Sequence, residues 1–287
     1  MGSLRIIKSG ILTSLQDSGR SGYAFYAVPC SGAMDVENAH HANTILGNPI
    51  NNPVIECTLI PPTLEFSSQA TIAISGASAS WKINGIAVNT DTKIKVKAGD
   101  VLSGSPFRNG MRSYIAISGK IEASYYLNSC SYNSYLSSEL LDLQLLKKGD
   151  IIKWEEETNE ERNIRHCPHR REVTQTILLR KGPEYNTLNH KSQQILSKGQ
   201  QYKISPQSNR MGIRLNSEEL KSNHPHLDHS VPVLPGMLQL TPSGQIIIIL
   251  QDGQTTGGYP RIAYLTQDEL SLINQIPIGK SVELILQ

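Results

Sequence analysis

Apolar residues along this chain come in short runs separated by glycine, proline and polar residues. Thr71 to Ser75, Thr92 to Val96, Tyr114 to Ser118, Gln175 to Leu179 and Ile246 to Leu250 are rich in β-branched or aromatic residues and predict strands. Ile246 to Leu250 is apolar throughout, the pattern of a strand buried on both faces. Helical spacing occurs at two places. Asp35 can cap a helix running to about Leu46, stopped by Gly47-Asn48-Pro49. Thr266 and Glu269 have capping-box spacing before Leu270 and Ile273. Val96-Lys-Ala-Gly-Asp-Val-Leu102 and Leu146-Lys-Lys-Gly-Asp-Ile-Ile152 each read as a Gly-Asp turn entering a strand. This punctuation fits barrels or sandwiches and not alternating βαβ units.

The pattern is interrupted once by charge. Five glutamates between Glu155 and Glu161 are followed by Arg162, Arg165, Arg170 and Arg171, with little that can build a core. Residues 155–172 therefore read as a solvated connector between a β-rich domain over 1–154 and a second over 173–287. A length of 287 residues accommodates this division. A net charge of +2 gives no strong signal for nucleic acid or for an anionic membrane. No apolar run approaches the roughly 20 residues of a membrane span, and the first residues lack a signal-peptide core. Cys30, Cys57, Cys130 and Cys167 are widely spread with no C-x-x-C, which fits a reducing, cytoplasmic setting.

Candidate chemistry concentrates after the buried strand, in Asp252-Gly-Gln-Thr-Thr-Gly-Gly-Tyr-Pro260. Asp252, Gln254, Thr255, Thr256 and Tyr259 gather an acid, an amide, two hydroxyls and a phenol on one loop. Its adjacent glycines permit positive φ or a close approach by another group. The loop lacks the lysine of a phosphate-binding loop, and no G-x-S-x-G elbow or lysine between two methionines occurs, so neither an ATP site, serine hydrolysis nor a biotinylated lysine is expected here. His224, His226, Asp228 and His229 form one polar cluster and His166, Cys167 and His169 another. Pro225 and Pro168 hold both segments extended, so exposed loops are expected and no metal. Asp17, Arg20 and Asp35 suit a small polar ligand, but a turn pinned by Asp17 and Arg20 and a helix cap at Asp35 explain them equally. Glu56 is a lone acid in an apolar strand pattern: it either faces the core, with Arg112 the candidate partner, or faces solvent. Arg210 and Arg214 share a strand face if the strand includes both, and there would either clamp an anionic group or form a polar surface. Gly182-Pro183-Glu184 adds a rigid turn with an acid.

Gln16-Asp-Ser-Gly-Arg20, Ser31-Gly-Ala-Met-Asp35, Arg210-Met-Gly212 and Gln254-Thr-Thr-Gly-Gly-Tyr-Pro260, in that order, resemble the KipA family, also called allophanate hydrolase subunit 2, whose best-characterised branch is the C subunit of 5-oxoprolinase. The resemblance runs from about Ile6 to Val282. Asn209 stands where the family has an acid and Ile213 where it has an aromatic. Gly119-Lys120 replaces a double glycine, and the stretch from Asn128 to Leu146 departs from the pattern. Asn209 keeps a carbonyl without the charge, so no general base is expected there. The resemblance implies a mainly β protein with two β-barrel-like domains, the second cyclophilin-like. It implies two partners, a KipI-like B subunit plus an A subunit, in ATP-dependent opening of 5-oxoproline to glutamate. Alternatives within it are biotin-dependent carboxyl transfer from carboxybiotin to urea or another small amide, and a non-enzymatic regulator that antagonises a KipI-type kinase inhibitor. ATP would belong to the complex, with no cofactor held by this chain alone. Making an amide reactive needs donors facing its oxygen and an acid managing its proton. On that basis Arg210 and Arg214 are assigned to the anionic group, and Asp252, Gln254 and Tyr259 to orientation and proton transfer. Thr255, Thr256, Asp35, Glu56 and Arg112 are assigned to substrate binding.

Overall fold

The computed structural model describes residues 1–137, 141–155, 174–216 and 220–287. The fold is mainly β, with a nearly closed barrel-like sheet. It divides into two compact units: Met1–Arg20 with Asp35–Arg171, and Ser21–Met34 with Glu172–Gln287. The charged connector lies outside the described residues, apart from Glu155. Among those residues no helix is long and apolar enough to cross a membrane.

Unit 1 contains β1 (Gly2–Lys8), β2 (Leu12–Gln16), α1 (Val36–Leu46), β3 (Val54–Thr58), β4 (Thr63–Phe66), β5 (Ala70–Gly76), β6 (Lys82–Ile83), β7 (Ile86–Ala87), β8 (Ile94–Val96), β9 (Val101–Ser103), β10 (Arg112–Ile117), β11 (Lys120–Ile121) and β12 (Ile151–Glu155). Its strands form two sheets, ordered β11-β12-β1-β4-β9-β6-β7 and β2-β3-β10-β5-β8. Alternate residues of both, among them Leu4, Ile6, Leu64, Phe66 and Trp154 from the first and Ile55, Cys57, Ile72, Ile74 and Ile115 from the second, enter one apolar cluster. Every residue of β3 and β10 is nevertheless buried, because α1 packs on the other face of the second sheet. That helix starts where the sequence predicts: the Asp35 carboxylate accepts the Asn38 N–H, and Gly47 takes the left-handed C-cap at φ 76°. The two Gly-Asp turns are the same structure. In each, an aspartate oxygen accepts the N–H of a lysine three residues earlier at 2.7 Å (Asp100 to Lys97, Asp150 to Lys147).

Unit 2 contains β13 (Thr176–Lys181), α2 (His190–Lys198), β14 (Gln200–Lys203), β15 (Gly212–Leu215), β16 (Val231–Pro232), β17 (Met237–Leu240), β18 (Ile246–Ile249), β19 (Thr256–Gly257), β20 (Arg261–Tyr264), α3 (Gln267–Ile273) and β21 (Ser281–Leu286). The main sheet is ordered β14-β21-β13-β20-β17-β18-β15, with β13 and β21 parallel. The strand expected over Ile246 to Leu250 is β18, which pairs on both edges, with β17 and β15, and is buried except for the partly buried Ile247; as predicted, Thr266 caps α3 by accepting the Glu269 N–H. Helix α2 escaped prediction because only Ile195 and Leu196 give its sequence an apolar stripe; its signal was the cap Asn189, whose side chain accepts the Ser192 N–H.

The expected division into 1–154 and 173–287 omits one excursion. Residues 21–34 belong to unit 2. Met34 sits in its apolar cluster, the Met34 carbonyl accepts from Asn274 Nδ2 at 2.8 Å, and the Ser31 N–H reaches the Gln251 carbonyl at 2.7 Å.

Gly182 is set by close backbone approach: a Cβ there would lie 2.1 Å from the Arg261 carbonyl oxygen and 2.7 Å from the Ala263 nitrogen. Gly182→Ala is therefore expected to destabilise the protein by about 1–3 kcal/mol, the cost of overpacking against atoms that cannot move aside. Thermal unfolding followed by circular dichroism tests this; an unchanged midpoint contradicts it.

Candidate functional site

The polar loop begins where β18 runs out of apolar residues. Past Ile249 the chain stays paired: the Leu250 N–H donates to the Met211 carbonyl and the Asp252 N–H to the Arg210 carbonyl, at 3.0 and 3.1 Å. This brings Asp252 onto Arg210. Nε donates to one carboxylate oxygen at 2.7 Å and Nη2 to the other at 3.3 Å, a two-pronged, charge-assisted pair. Nη2 also donates to the Gly32 carbonyl at 2.8 Å. The side chain of Arg210 is 11% exposed and that of Asp252 2%. Gly32 lies in the Ser31-to-Asp35 motif, yet the sequence alone gives it no role in the site. The signal lies in its backbone: Ser31 and Gly32 both have positive φ, 55° and 101°, a conformation that is sterically costly for the serine. Both oxygens of Asp252 accept from the guanidinium, so this carboxylate anchors Arg210.

Arg214 does not join it. Asn209 to Gly212 is a tight turn, closed by Asn209 N–H to the Gly212 carbonyl at 3.1 Å and by Met211 N–H to Asn209 Oδ1 at 2.8 Å. The strand begins only at Gly212, so the alternation that would put residues 210 and 214 on one face never reaches Arg210. Arg214 pairs across from Ile247 and donates to Gln245 Oε1 at 3.1 Å, at the opposite end of β18 from Asp252. Asn209 fits its place through the side-chain oxygen that closes the turn.

The loop itself is held by a residue that sequence reasoning missed. Gln239 is fully buried in β17; its Nε2 donates to the Tyr259 carbonyl at 3.2 Å and its Oε1 accepts from Gln254 Nε2 at 3.4 Å. A lone amide inside Met237-Leu-Gln-Leu240 was the available signal. Gln254 and Thr256 are exposed, Tyr259 is half-buried and Thr255 is buried. The Thr255 carbonyl accepts from Val233 N–H at 2.8 Å, and Thr256 lies in β19 opposite Pro232. The glycines are not there for positive φ. A Cβ at Gly253 would meet the Ile249 side chain at 2.6 Å and the Met211 carbonyl at 2.8 Å, and one at Gly257 would meet Gln239 Nε2 at 2.5 Å, whereas Gly258 faces open space. His226 lies beside Tyr259, ring centroids 5.9 Å apart. His224, His226, Asp228 and His229 lie in an open polar loop, all four exposed. Among the described residues no three metal-ligating side chains converge; His166, Cys167 and His169 lie outside those residues.

Asp35, Glu56 and Arg112 form a separate cluster inside unit 1. The Tyr114 hydroxyl accepts from the Asp35 N–H at 2.7 Å and donates to Glu56 Oε2 at 2.9 Å. Asn38 Nδ2 donates to the second Asp35 oxygen at 2.6 Å, and Ser75 to Asn38 at 2.8 Å. Asp35, Glu56, Arg112 and Tyr114 are all buried, which settles the two readings of Glu56 in favour of burial. Burial, then the charges of Glu56 and Asp35, hold the Tyr114 phenol well above its usual range, with Arg112 pulling the other way. Burial, aided by Glu56, raises the Cys57 thiol likewise.

Asp17 and Arg20 are both bonded to the stretch from Tyr126 to Ser131. Asp17 accepts from the Ser129 and Ser131 hydroxyls, both at 2.6 Å, and from the Cys130 N–H at 2.8 Å. Arg20 donates to the carbonyls of Tyr126 and Ser131 at 3.2 and 2.6 Å. Glu184 pairs in two-pronged fashion with Arg261, at 2.7 and 2.8 Å.

Residues 26–286 match the family described as carboxyltransferase domain, subdomain A and B. The C subunit of 5-oxoprolinase from Escherichia coli (strain K12) is 34% identical over 285 residues, which span 98% of this chain and 90% of that protein. Urea amidolyase of Saccharomyces cerevisiae is 30% identical over 305 residues, 99% of this chain but 16% of that protein. The crystal structure of K. lactis urea amidolyase matches with a TM-score of 0.86 at 26% identity, covering 98% of this chain and 18% of that one. The chain thus spans nearly the whole of the first relative and a minor segment of the amidolyases.

Two measurements check this geometry. A double-mutant cycle on Arg210→Ala and Asp252→Ala is expected to give a coupling of about 0.5–3 kcal/mol in unfolding free energy; additivity would remove the pair. The Arg261 hydrogen bonds hold the Glu184 carboxyl below its ordinary 4.5. A carboxyl lowered on folding stabilises above its unfolded value and loses that contribution as pH falls through its folded one. Wild type should therefore lose its stability advantage over Glu184→Gln below about pH 4.5, and denaturant midpoints that stay parallel through that window contradict the assignment.

Proposed function

The chain belongs to the carboxyltransferase-domain family of subdomains A and B, and from that premise we propose that it is the C subunit of an ATP-dependent 5-oxoprolinase, opening 5-oxoproline to glutamate with a KipI-like B subunit plus an A subunit. The observation that carries this reading is the match to the 5-oxoprolinase C subunit along 98% of this chain and 90% of that protein. A chain that is one part of such a complex is inactive alone, and the complex works in the cytoplasm.

The local chemistry supports work on an amide. As the ring amide of 5-oxoproline is attacked, its oxygen gains negative charge, and a donor already fixed in place stabilises that charge without reorganising. Arg210, held by Asp252 and Gly32 and almost withdrawn from solvent, is that donor in this reading. Gln254 and Tyr259, on a loop braced by Gln239, orient the substrate, and the hydroxyl of the half-buried Tyr259 manages the amide proton. Thr255 and Thr256 shape the same loop. Arg214 lies at the far end of β18 and takes no part. Asp35, Glu56 and Arg112 are occupied by the buried network around Tyr114 and support unit 1.

ATP is a substrate of the complex and is not assigned to this chain: the glycine-bearing loop has no lysine, and its Gly253 and Gly257 are packed against protein atoms instead of cradling phosphates. Carboxyl transfer from carboxybiotin to urea or another small amide is the second reading, favoured by the match to urea amidolyase; the same arginine would then face the acceptor amide.

The reconstituted complex of all three subunits, given 5-oxoproline and ATP, should release glutamate. Arg210→Ala should lower kcat by about 10²–10³-fold, the usual effect of deleting one oxyanion donor, while the variant chain stays folded and assembled. Unchanged turnover in that variant would sink the assignment of Arg210, and complex formation without glutamate release from wild type would sink the oxoprolinase reading.

A further inference from the structure

In the oxoprolinase reading one part of the substrate still lacks a partner. 5-Oxoproline carries a carboxylate on the carbon next to its ring nitrogen, and Arg210 is given to the amide oxygen. Arg214 lies at the far end of β18. Arg261, which directly follows the polar loop, is bonded to Glu184 and to the Pro232 carbonyl. Neither supplies a donor at the loop.

The polar loop has a second wall. The Leu227 N–H donates to the Gly258 carbonyl at 2.9 Å, and the Val233 N–H to the Thr255 carbonyl at 2.8 Å. Between these bonds β16 pairs antiparallel with β19, Val231 opposite Gly257 and Pro232 opposite Thr256. This ribbon holds the histidine-bearing segment against the loop. His226, immediately before Leu227, has its imidazole 5.9 Å from the Tyr259 ring, tilted by 43°. His226 is exposed and Tyr259 half-buried.

Gly258 joins the two walls. A Cβ at Gly253 or Gly257 would strike other atoms, but one at Gly258 would meet nothing within 4 Å, and its φ lies outside the left-handed region. Neither packing nor backbone conformation accounts for the missing side chain. Bare backbone at an open position leaves room for another molecule to approach closely.

We propose that this open position at Gly258 receives the carboxylate of 5-oxoproline, and that His226 donates a ring N–H to it. The inference rests on the oxoprolinase reading and names a specificity-determining residue of that same site. Substrate chemistry sets the placement. The amide nitrogen and the carbon bearing the carboxylate are adjacent ring atoms, so a donor for the carboxylate must neighbour the group that handles the amide proton. Tyr259 handles that proton in this reading, and His226 is its ring neighbour. Imidazole has an N–H to donate whether neutral or protonated, and its bond to a carboxylate is charge-assisted. Urea has no carboxylate, so this contact favours 5-oxoproline over urea.

The reconstituted three-subunit complex, assayed for glutamate release from 5-oxoproline and ATP, tests this with two variants. His226→Ala should raise KM for 5-oxoproline about 10-fold, the equivalent of 1.4 kcal/mol. Its kcat should stay unchanged, the pattern of lost uniform binding. 2-Pyrrolidinone, the same ring amide without the carboxylate, should inhibit wild type and His226→Ala with the same Ki. Gly258→Ala places a methyl in open space, so its unfolding midpoint should hold while its KM rises. Glutamate release by wild type with an unchanged KM in His226→Ala, or with a Ki that rises in parallel, overturns the carboxylate assignment and leaves the oxoprolinase reading standing. A Gly258→Ala chain with a lowered midpoint, or a stable one with wild-type KM, removes Gly258 from the site. A wild-type complex that releases no glutamate overturns both readings.

Discussion

A guanidinium held by a carboxylate and a backbone carbonyl is the interaction around which the polar end of β18 in unit 2 is organised. Arg210, Asp252 and Gly32 are remote in sequence, and the pairing that unites them follows from a strand ending. β18 is buried on both sides, so its chain must leave the sheet through polar groups that find partners at once. The Asp252 N–H goes to the Arg210 carbonyl and the Asp252 carboxylate to the Arg210 side chain. The backbone thereby fixes the arginine from two directions. The left-handed pair at Ser31 and Gly32 adds a third hold by turning a carbonyl toward it. A charge restrained in this way gives up little entropy when a ligand arrives, which is what the proposed role of Arg210 requires.

Unit 1 solves a different problem with similar means. Its second sheet is covered by apolar residues on one face and by α1 on the other, and the face toward the helix carries Glu56, Tyr114 and Arg112. Burying such groups is costly unless their hydrogen bonds are made. Tyr114 links Glu56 to the first turn of α1 through the Asp35 N–H, and Asp35 caps that turn. The network ties helix to sheet and fixes their register in a way that nondirectional apolar contact cannot.

Much of this architecture was legible in the sequence wherever the signal is local. The helix cap at Asp35, the capping pair Thr266 and Glu269, the repeated Gly-Asp turns and the buried strand over Ile246 to Leu250 all follow from neighbouring residues. What escaped depends on partners far along the chain. Glu56 was ambiguous because alternation permits either face, and only a helix packed on the sheet decides between them. Arg210 and Arg214 were placed together by a period-two rule that a turn at Asn209 interrupts. For the adjacent glycines of the loop the sequence left positive φ and close approach both open, and only the folded chain decides: other atoms occupy the space a side chain would need at Gly257, as they do at Gly253. Gln239 stands out in the sequence only as a lone amide in an apolar strand: its role is defined by two residues on a loop that folds back over it.

The excursion of residues 21–34 into unit 2 has a consequence for the order in which this protein is made. The Gly32 carbonyl and the Arg210 side chain that binds it are separated by 178 positions, and contacts of such separation are slow to form because loop entropy must be overcome first. During synthesis the N-terminal segment emerges long before β15, β18 and α3 exist to receive it. Severing the chain at the charged connector would therefore not give two independent halves: the second would lack the piece of backbone that completes its arginine site, and the first would carry that piece with nothing to bind. The topology ties maturation of the site to completion of the whole polypeptide.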